Sequence, residues 1–113
     1  MLNSISKIVK CMEKEKLEKI ANGIIVLVME KNETYGNSLF DQGEYGLFLR
    51  VSDKYKRILN IVDRYNMKNP EYTEKERIAI ANALIDIVGY VLGWLSEFVS
   101  EKRIEKEIGF GRP

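Results

Sequence analysis

Between residues 68 and 76 the chain stops one helix and starts another, and this break constrains the fold more than any other feature of its 113 residues. Pro70 disfavours helical geometry at Asn69. Three residues later, Thr73-Glu74-Lys75-Glu76 spells a capping box. The threonine hydroxyl accepts from the amide of residue 76, and the Glu76 carboxylate reaches back to the amide of residue 73. Apolar residues recur at steps of three and four on both sides of the break. There is no strand alternation of useful length, no internal repeat and no low-complexity segment. These signals predict an all-α chain: a small antiparallel helical bundle, one domain over residues 1–113 with its core at about 14–100.

The helices are expected as follows. Residues 4–32 read as helix. Leu17, Ile20, Ile24, Leu27 and Lys31 share one stripe, and Ile5, Ile8, Val9 and Met12 form an earlier one out of phase with it. A kink is therefore expected near residues 13–16, setting off residues 1–13 as an N-terminal helix. Gly23 weakens the helix by about 1 kcal/mol relative to alanine without ending it. Residues 33–45 form a loop rich in turn formers (Gly36, Asn37, Ser38, Asp41, Gly43), with Leu39, Phe40 and Tyr45 to pin it. Thirteen residues is long for such a connection, and long loops are often functional. The second helix runs over 46–67 and buries Leu47, Val51, Tyr55, Ile58, Val62 and Tyr65. The third runs from Thr73 to about residue 100, and as far as Ile108 if unbroken. A mobile tail follows at 109–113.

Composition removes several chemistries. With no histidine, imidazole acid–base catalysis, Ser-His and Cys-His nucleophiles and most zinc sites are absent. A single cysteine, Cys11, leaves no intramolecular disulfide. A formal net charge of +1 gives no global field to attract nucleic acid or an anionic membrane. No signal peptide is visible, and the longest apolar run, Ile24 to Met29, is too short to span a bilayer. The expected compartment is the cytoplasm, of the host if the gene is viral. What remains is oxygen-ligand chemistry: carboxylates with Mg²⁺ or Mn²⁺.

Residues 31–57 and the third helix hold the candidate groups. Arg50, Lys54 and Arg57 share one face of the second helix, and such a set suits a di- or triphosphate. Asp53 lies three after Arg50 and four before Arg57, so ordinary surface pairing within the helix is the competing reading. Glu30 and Glu33 sit three apart near the end of the first helix and face one direction, either as metal ligands or as solvated glutamates. On the third helix, Ile80, Leu84, Ile87, Val88, Val91, Leu95 and Phe98 occupy a wide apolar arc. The remaining arc holds Ala79, Asn82, Ala83, Asp86, Gly89, Tyr90, Gly93 and Glu97. Two readings are open for it. It is a cavity floor into which Asp86 and Asn82 point, or it is a wet face on which the glycines only admit another helix.

Order and spacing add a resemblance. Lys31, Asn32, Tyr35, Gly36 and Ser38 (K-N-x-x-Y-G-x-S) lead to Gly46, Leu47, Arg50, Asp53, Lys54 and Arg57 (G-L-x-x-R-x-x-D-K-x-x-R). Asp86, Ile87 and Tyr90 (D-I-x-x-Y) follow. Together they resemble the phage and bacterial nucleotide-modification-associated domain, itself similar to the MazG-like all-α nucleoside triphosphate pyrophosphohydrolases. The resemblance covers roughly residues 25–95.

It implies a MazG-like bundle that assembles into homo-oligomers, dimers or tetramers, and Mg²⁺- or Mn²⁺-dependent cleavage of a free nucleotide between its α- and β-phosphates. Under it Glu30, Glu33 and Asp86 serve catalysis and hold metal. Lys31, Asn32, Tyr35, Gly36, Arg50, Asp53, Lys54, Arg57, Asn82 and Tyr90 line the nucleotide site. The chain departs from the pyrophosphohydrolases where their E-E-x-x-E and E-x-x-D clusters would stand, and Thr34 and Asn82 are neutral where acids are expected. The alternative is a protein of the same fold that binds and sequesters a nucleotide without cutting it.

Overall fold

A computed structural model describes residues 12–34, 38–66 and 71–109. In chain order these form α1 (Lys14–Thr34), a 3₁₀ turn (Ser38–Phe40), α2 (Gly43–Asp63), α3 (Glu74–Phe98) and α4 (Glu101–Ile108). Most of the described residues are helical, and there is no strand among them. The expected N-terminal stripe before Met12, the Asn69–Pro70 stop, Tyr35 with Gly36, and the tail beyond Gly109 lie outside the described residues.

The start of α3 is as the sequence dictates. Thr73 Oγ1 accepts from the Glu76 amide at 3.1 Å, and Glu76 Oε1 accepts from the Thr73 amide at 2.8 Å. The box is also tied to α2. Tyr65 Oη donates to Glu76 Oε1, and Arg64 pairs with Glu76 Oε2 at 3.5 Å. These bonds to its ionised form hold the Glu76 carboxyl below the usual range, led by the Tyr65 hydroxyl; the same bond raises the Tyr65 phenol. Asn66, just past the end of α2, takes φ 57°, a left-handed conformation asparagine tolerates.

Two expectations about helix ends change. The second helix starts earlier than expected, at Gly43 (φ 65°), and ends at Asp63. The third ends at Phe98, because Val99 turns extended and Ser100 starts a new helix, its side chain accepting from the Arg103 amide at 3.2 Å.

Pairings across helices fix their directions. Tyr65 meets Glu76, Lys54 meets Asp86, Arg50 stacks near Tyr90, and Glu44 accepts from the Trp94 indole. As residue numbers fall along α2 they rise along α3, so these helices run antiparallel. Val28 against Gly89 and Lys31 against Asp86 set α1 antiparallel to α3 in the same way. The longest helix is therefore central, flanked by α1 and α2.

The face by which α3 packs is the small-residue arc. Ala83, Gly89 and Gly93 are buried. A Cβ at Gly89 would lie 2.8 Å from Val28 Cγ2, and one at Gly93 would lie 3.0 Å from the Phe40 ring. Gly89 thus admits α1 at a distance a Cβ would not allow, and Gly93 leaves the Phe40 ring a tight seat. Among the described residues the buried apolar ones are Ile24, Leu47, Ile61 and Ala83, Leu47 completely. Tyr55, expected inside on α2, is 57% exposed, and Ile61 takes the inner position. Of the wide apolar arc of α3, Leu84, Val88, Val91 and Leu95 are exposed, Ile80 and Ile87 are half-buried, and Phe98 meets the Phe40 ring edge-on at 6.4 Å. By length and composition α3 is also apolar enough to cross a bilayer, which a search for unbroken apolar runs misses because Asn82, Asp86, Gly89 and Gly93 interrupt it.

Candidate functional site

Where α1, the 3₁₀ turn, α2 and α3 meet they leave a cleft of about 330 Å³. Its apolar walls include Leu27 and Val28 from α1, Leu39 from the turn and Ile85 from α3. Its polar groups are Lys31, Ser38, Arg50, Lys54, Asp86 and Tyr90. The spacing explains why they converge. Arg50 and Lys54 are one turn apart on α2, and Asp86 and Tyr90 are one turn apart on α3, so each pair presents both members to the same side. Gly89, between the latter two, lets α1 close over them and brings Lys31 in.

Asp86 is the electrostatic centre. Its Oδ1 lies 3.2 Å from Lys31 Nζ and its Oδ2 lies 2.9 Å from Lys54 Nζ, so each carboxylate oxygen has its own ammonium. Burial of the carboxyl pushes its pKa up, but the hydrogen bonds and charges of the two lysines outweigh this and hold it below the usual aspartate value. Lys54 is well covered, its side chain 20% exposed, whereas Lys31 is 49% exposed. Arg50 reaches from α2 over the Tyr90 ring, its guanidinium carbon 5.9 Å from the ring centre, within cation–π range. Three cations and one carboxylate thus line the cleft, two of the cations paired with that carboxylate, leaving a positive surplus.

The residues singled out in the sequence divide into two groups. Lys31, Arg50, Lys54, Asp86 and Tyr90 come together in the cleft, and Asn32 is half-buried next to Lys31 in α1. Glu30, Glu33, Asp53, Arg57 and Asn82 are exposed and do not line it. The helical step accounts for the split. On α1, Lys31 faces α3, and Glu30 and Glu33 are turned away by about 100° and 200°. Among the described residues no group of three or more carboxylate or cysteine side chains gathers to hold a metal.

The stripe that Leu27 shares with Lys31 was legible in the sequence and leads into the cleft wall; Val28, three residues before Lys31, was not singled out there, and the same helical spacing is the signal that places it. The sequence reading passed over the bond from Trp94 Nε1 to Glu44 Oε2 at 2.9 Å, which ties the first turn of α2 to α3. No family model, curated protein or solved structure matches the chain.

Proposed function

We propose that the cleft binds the phosphates of a free nucleotide, and that the chain is a nucleotide-binding protein of the MazG-like all-α kind. The observation that carries the reading is that Lys31, Arg50 and Lys54 share the cleft with the single carboxylate of Asp86. A surplus of fixed cations in a partly desolvated hollow is a phosphate-binding arrangement, with a guanidinium fork for planar recognition and ammoniums as point charges. The apolar walls and the Tyr90 ring supply a surface on which a base or ribose can rest. The volume lies at the lower end of the range for small-molecule sites. The family resemblance over residues 25–95 points to the same ligand class.

Hydrolysis would require Mg²⁺ or Mn²⁺ held by Glu30, Glu33 and Asp86. The side chains do not fit that assignment. Both Asp86 oxygens are occupied by lysines, and the two glutamates lie outside the cleft lining. A near-octahedral ion needs several oxygen ligands converging on one point. Binding without cleavage is therefore the reading the geometry favours.

The test is a thermal-shift panel of nucleoside mono-, di- and triphosphates and inorganic pyrophosphate, run with chelator and with Mg²⁺. A bound ligand raises the melting midpoint by mass action. The expected result is a rise with at least one nucleotide that persists in chelator and weakens by about tenfold in apparent affinity in Lys54→Gln and Arg50→Gln, since a charge-assisted bond contributes about 1.5–3 kcal/mol. No shift with any nucleotide would overturn the proposal. Mg²⁺-dependent release of pyrophosphate, abolished in Asp86→Asn, would replace it with the hydrolytic reading.

A further inference from the structure

Residues 14–23, the first half of α1, are exposed without exception. Leu17 and Ile20 lie on the stripe of Ile24 and Leu27, yet they are 48% and 50% exposed. Of the 21 residues in α1 only Ile24 is buried. The helix therefore holds to the fold by its second half, where Val28 sits on Gly89 and Lys31 reaches Asp86. That second half is also a wall of the cleft, made of Ile24, Leu27, Val28 and Lys31.

The pair that α1 leans on is fastened differently. Tyr65 to Glu76, Lys54 to Asp86 and Trp94 to Glu44 join α2 to α3 at one end, in the middle and at the other end. Each helix of that pair buries three residues. Lifting α1 away breaks none of these bonds. It uncovers Ile24, Leu27 and Val28, and it parts Lys31 from Asp86, the longer and more exposed of the two ion pairs on that carboxylate. Few buried apolar side chains and a half-exposed ion pair mark the part of a fold that opens at least cost.

We propose that α1 is the movable wall of the cleft. It swings off the α2–α3 pair to let a ligand in, and it is drawn back by an anion held jointly by Lys31 on α1 and Lys54 on α2. The opening follows from how α1 is packed and needs no ligand. The closing rests on the phosphate-binding reading. An anion so held adds a bridge between α1 and α2 that the open form lacks, so the ligand favours the closed form by that difference.

The experiment is hydrogen–deuterium exchange of the full chain, resolved along the sequence by mass spectrometry, without ligand and with inorganic pyrophosphate. Amides of residues 24–31 in α1 should exchange at least about tenfold faster, relative to their unstructured rates, than those of residues 84–91 in α3. Pyrophosphate should slow the α1 set. A Val28→Cys/Gly89→Cys pair in a Cys11→Ser background locks the wall, since a Cβ at Gly89 stands 2.8 Å from Val28 Cγ2, a contact close enough for a disulfide. The reduced form of the same chain is its control for folding. The oxidised form should lose the fast exchange in α1 and take up pyrophosphate more slowly than the reduced form. Three outcomes would overturn the proposal: α1 amides as protected as those of α3 in the wild type, pyrophosphate that raises the melting midpoint yet leaves α1 exchange as it was, or an oxidised chain that takes up pyrophosphate as fast as the reduced one. No midpoint shift with pyrophosphate or any nucleotide would overturn the phosphate-binding reading and the closing step with it, while exchange in the ligand-free chain still decides whether α1 opens.

Discussion

Lys54 Nζ stands 2.9 Å from Asp86 Oδ2, joining the middle of α2 to the middle of α3 at the edge of the cleft. The pair is only partly exposed, 20% and 19% at the two side chains, so solvent screens it less than an ordinary surface pair. It sits one turn from Arg50 on one helix and one turn from Tyr90 on the other. The same contact therefore bears on the stability of the helix pair and on the charge of the hollow.

Replacing Asp86 by asparagine separates these roles. At neutral pH the variant should lose about 1 kcal/mol in urea unfolding, because two ammoniums lose a partner that solvent only partly screens. The folded-state pKa of Asp86 lies below its ordinary value. Its stabilisation is therefore complete above the unfolded value, near pH 4, and is lost as pH falls through the folded one. The gap between wild type and Asp86→Asn should close on acidification below about pH 4. A gap that widens in acid would mean the sign is wrong.

The two lysines should not be equivalent. Lys54 is the better covered and the closer to Asp86. Lys54→Met should cost about 1 kcal/mol in the same assay, and Lys31→Met only a few tenths. Equal losses would show that Lys31 is held more firmly than its exposure implies.

Two glycines in helix interiors should respond in opposite directions to alanine. At Gly23 an added Cβ meets nothing within 4 Å, so Gly23→Ala should stabilise by about 1 kcal/mol through helix propensity. At Gly89 the added Cβ would stand 2.8 Å from Val28 Cγ2, and the short valine side chain offers little room to retreat. Forcing α1 outward costs about 1–3 kcal/mol, enough to outweigh the propensity gain. Melting midpoints should rise for the first variant and fall for the second.

At the α2–α3 corner, Thr73→Ala should cost about 1 kcal/mol by removing an N-cap acceptor. Tyr65, whose hydroxyl donates to Glu76, should titrate above the ordinary tyrosine value when followed by tyrosinate absorbance. Its hydrogen bond supports the fold below pH 10 and is lost as pH rises through the raised folded value. In Glu76→Gln the titration should move back toward that of free tyrosine.

Thr73 and Ser100 show how much of this fold could be read from residues alone. The Thr73 box was legible because its signals are local: a proline, a hydroxyl and a carboxylate within seven residues. The break at Val99–Ser100 was not, since a serine caps a helix only where the backbone has already turned extended. For α3 the periodicity gave two arcs but not which of them packs. Size would suggest the leucines and valines. Instead, the absence of Cβ at Gly89 and Gly93 admits Val28 and Phe40, and the larger residues are left outward. In the cleft, the four-residue spacings of Arg50 with Lys54 and of Asp86 with Tyr90 were visible. That Lys31 rather than Glu30 or Glu33 would join them depends on the rotation of α1, which the sequence leaves open.

Asp86 gives the cleft a built-in counter-ion. Two ammoniums gathered in a hollow would repel one another and drag water in; a carboxylate between them keeps their positions when nothing is bound. On the proposed reading, a phosphate would exchange one anion for another rather than meet bare cations, and the aspartate would reclaim its lysines on its departure. Such a pocket would give up some tightness of binding in return for quick release.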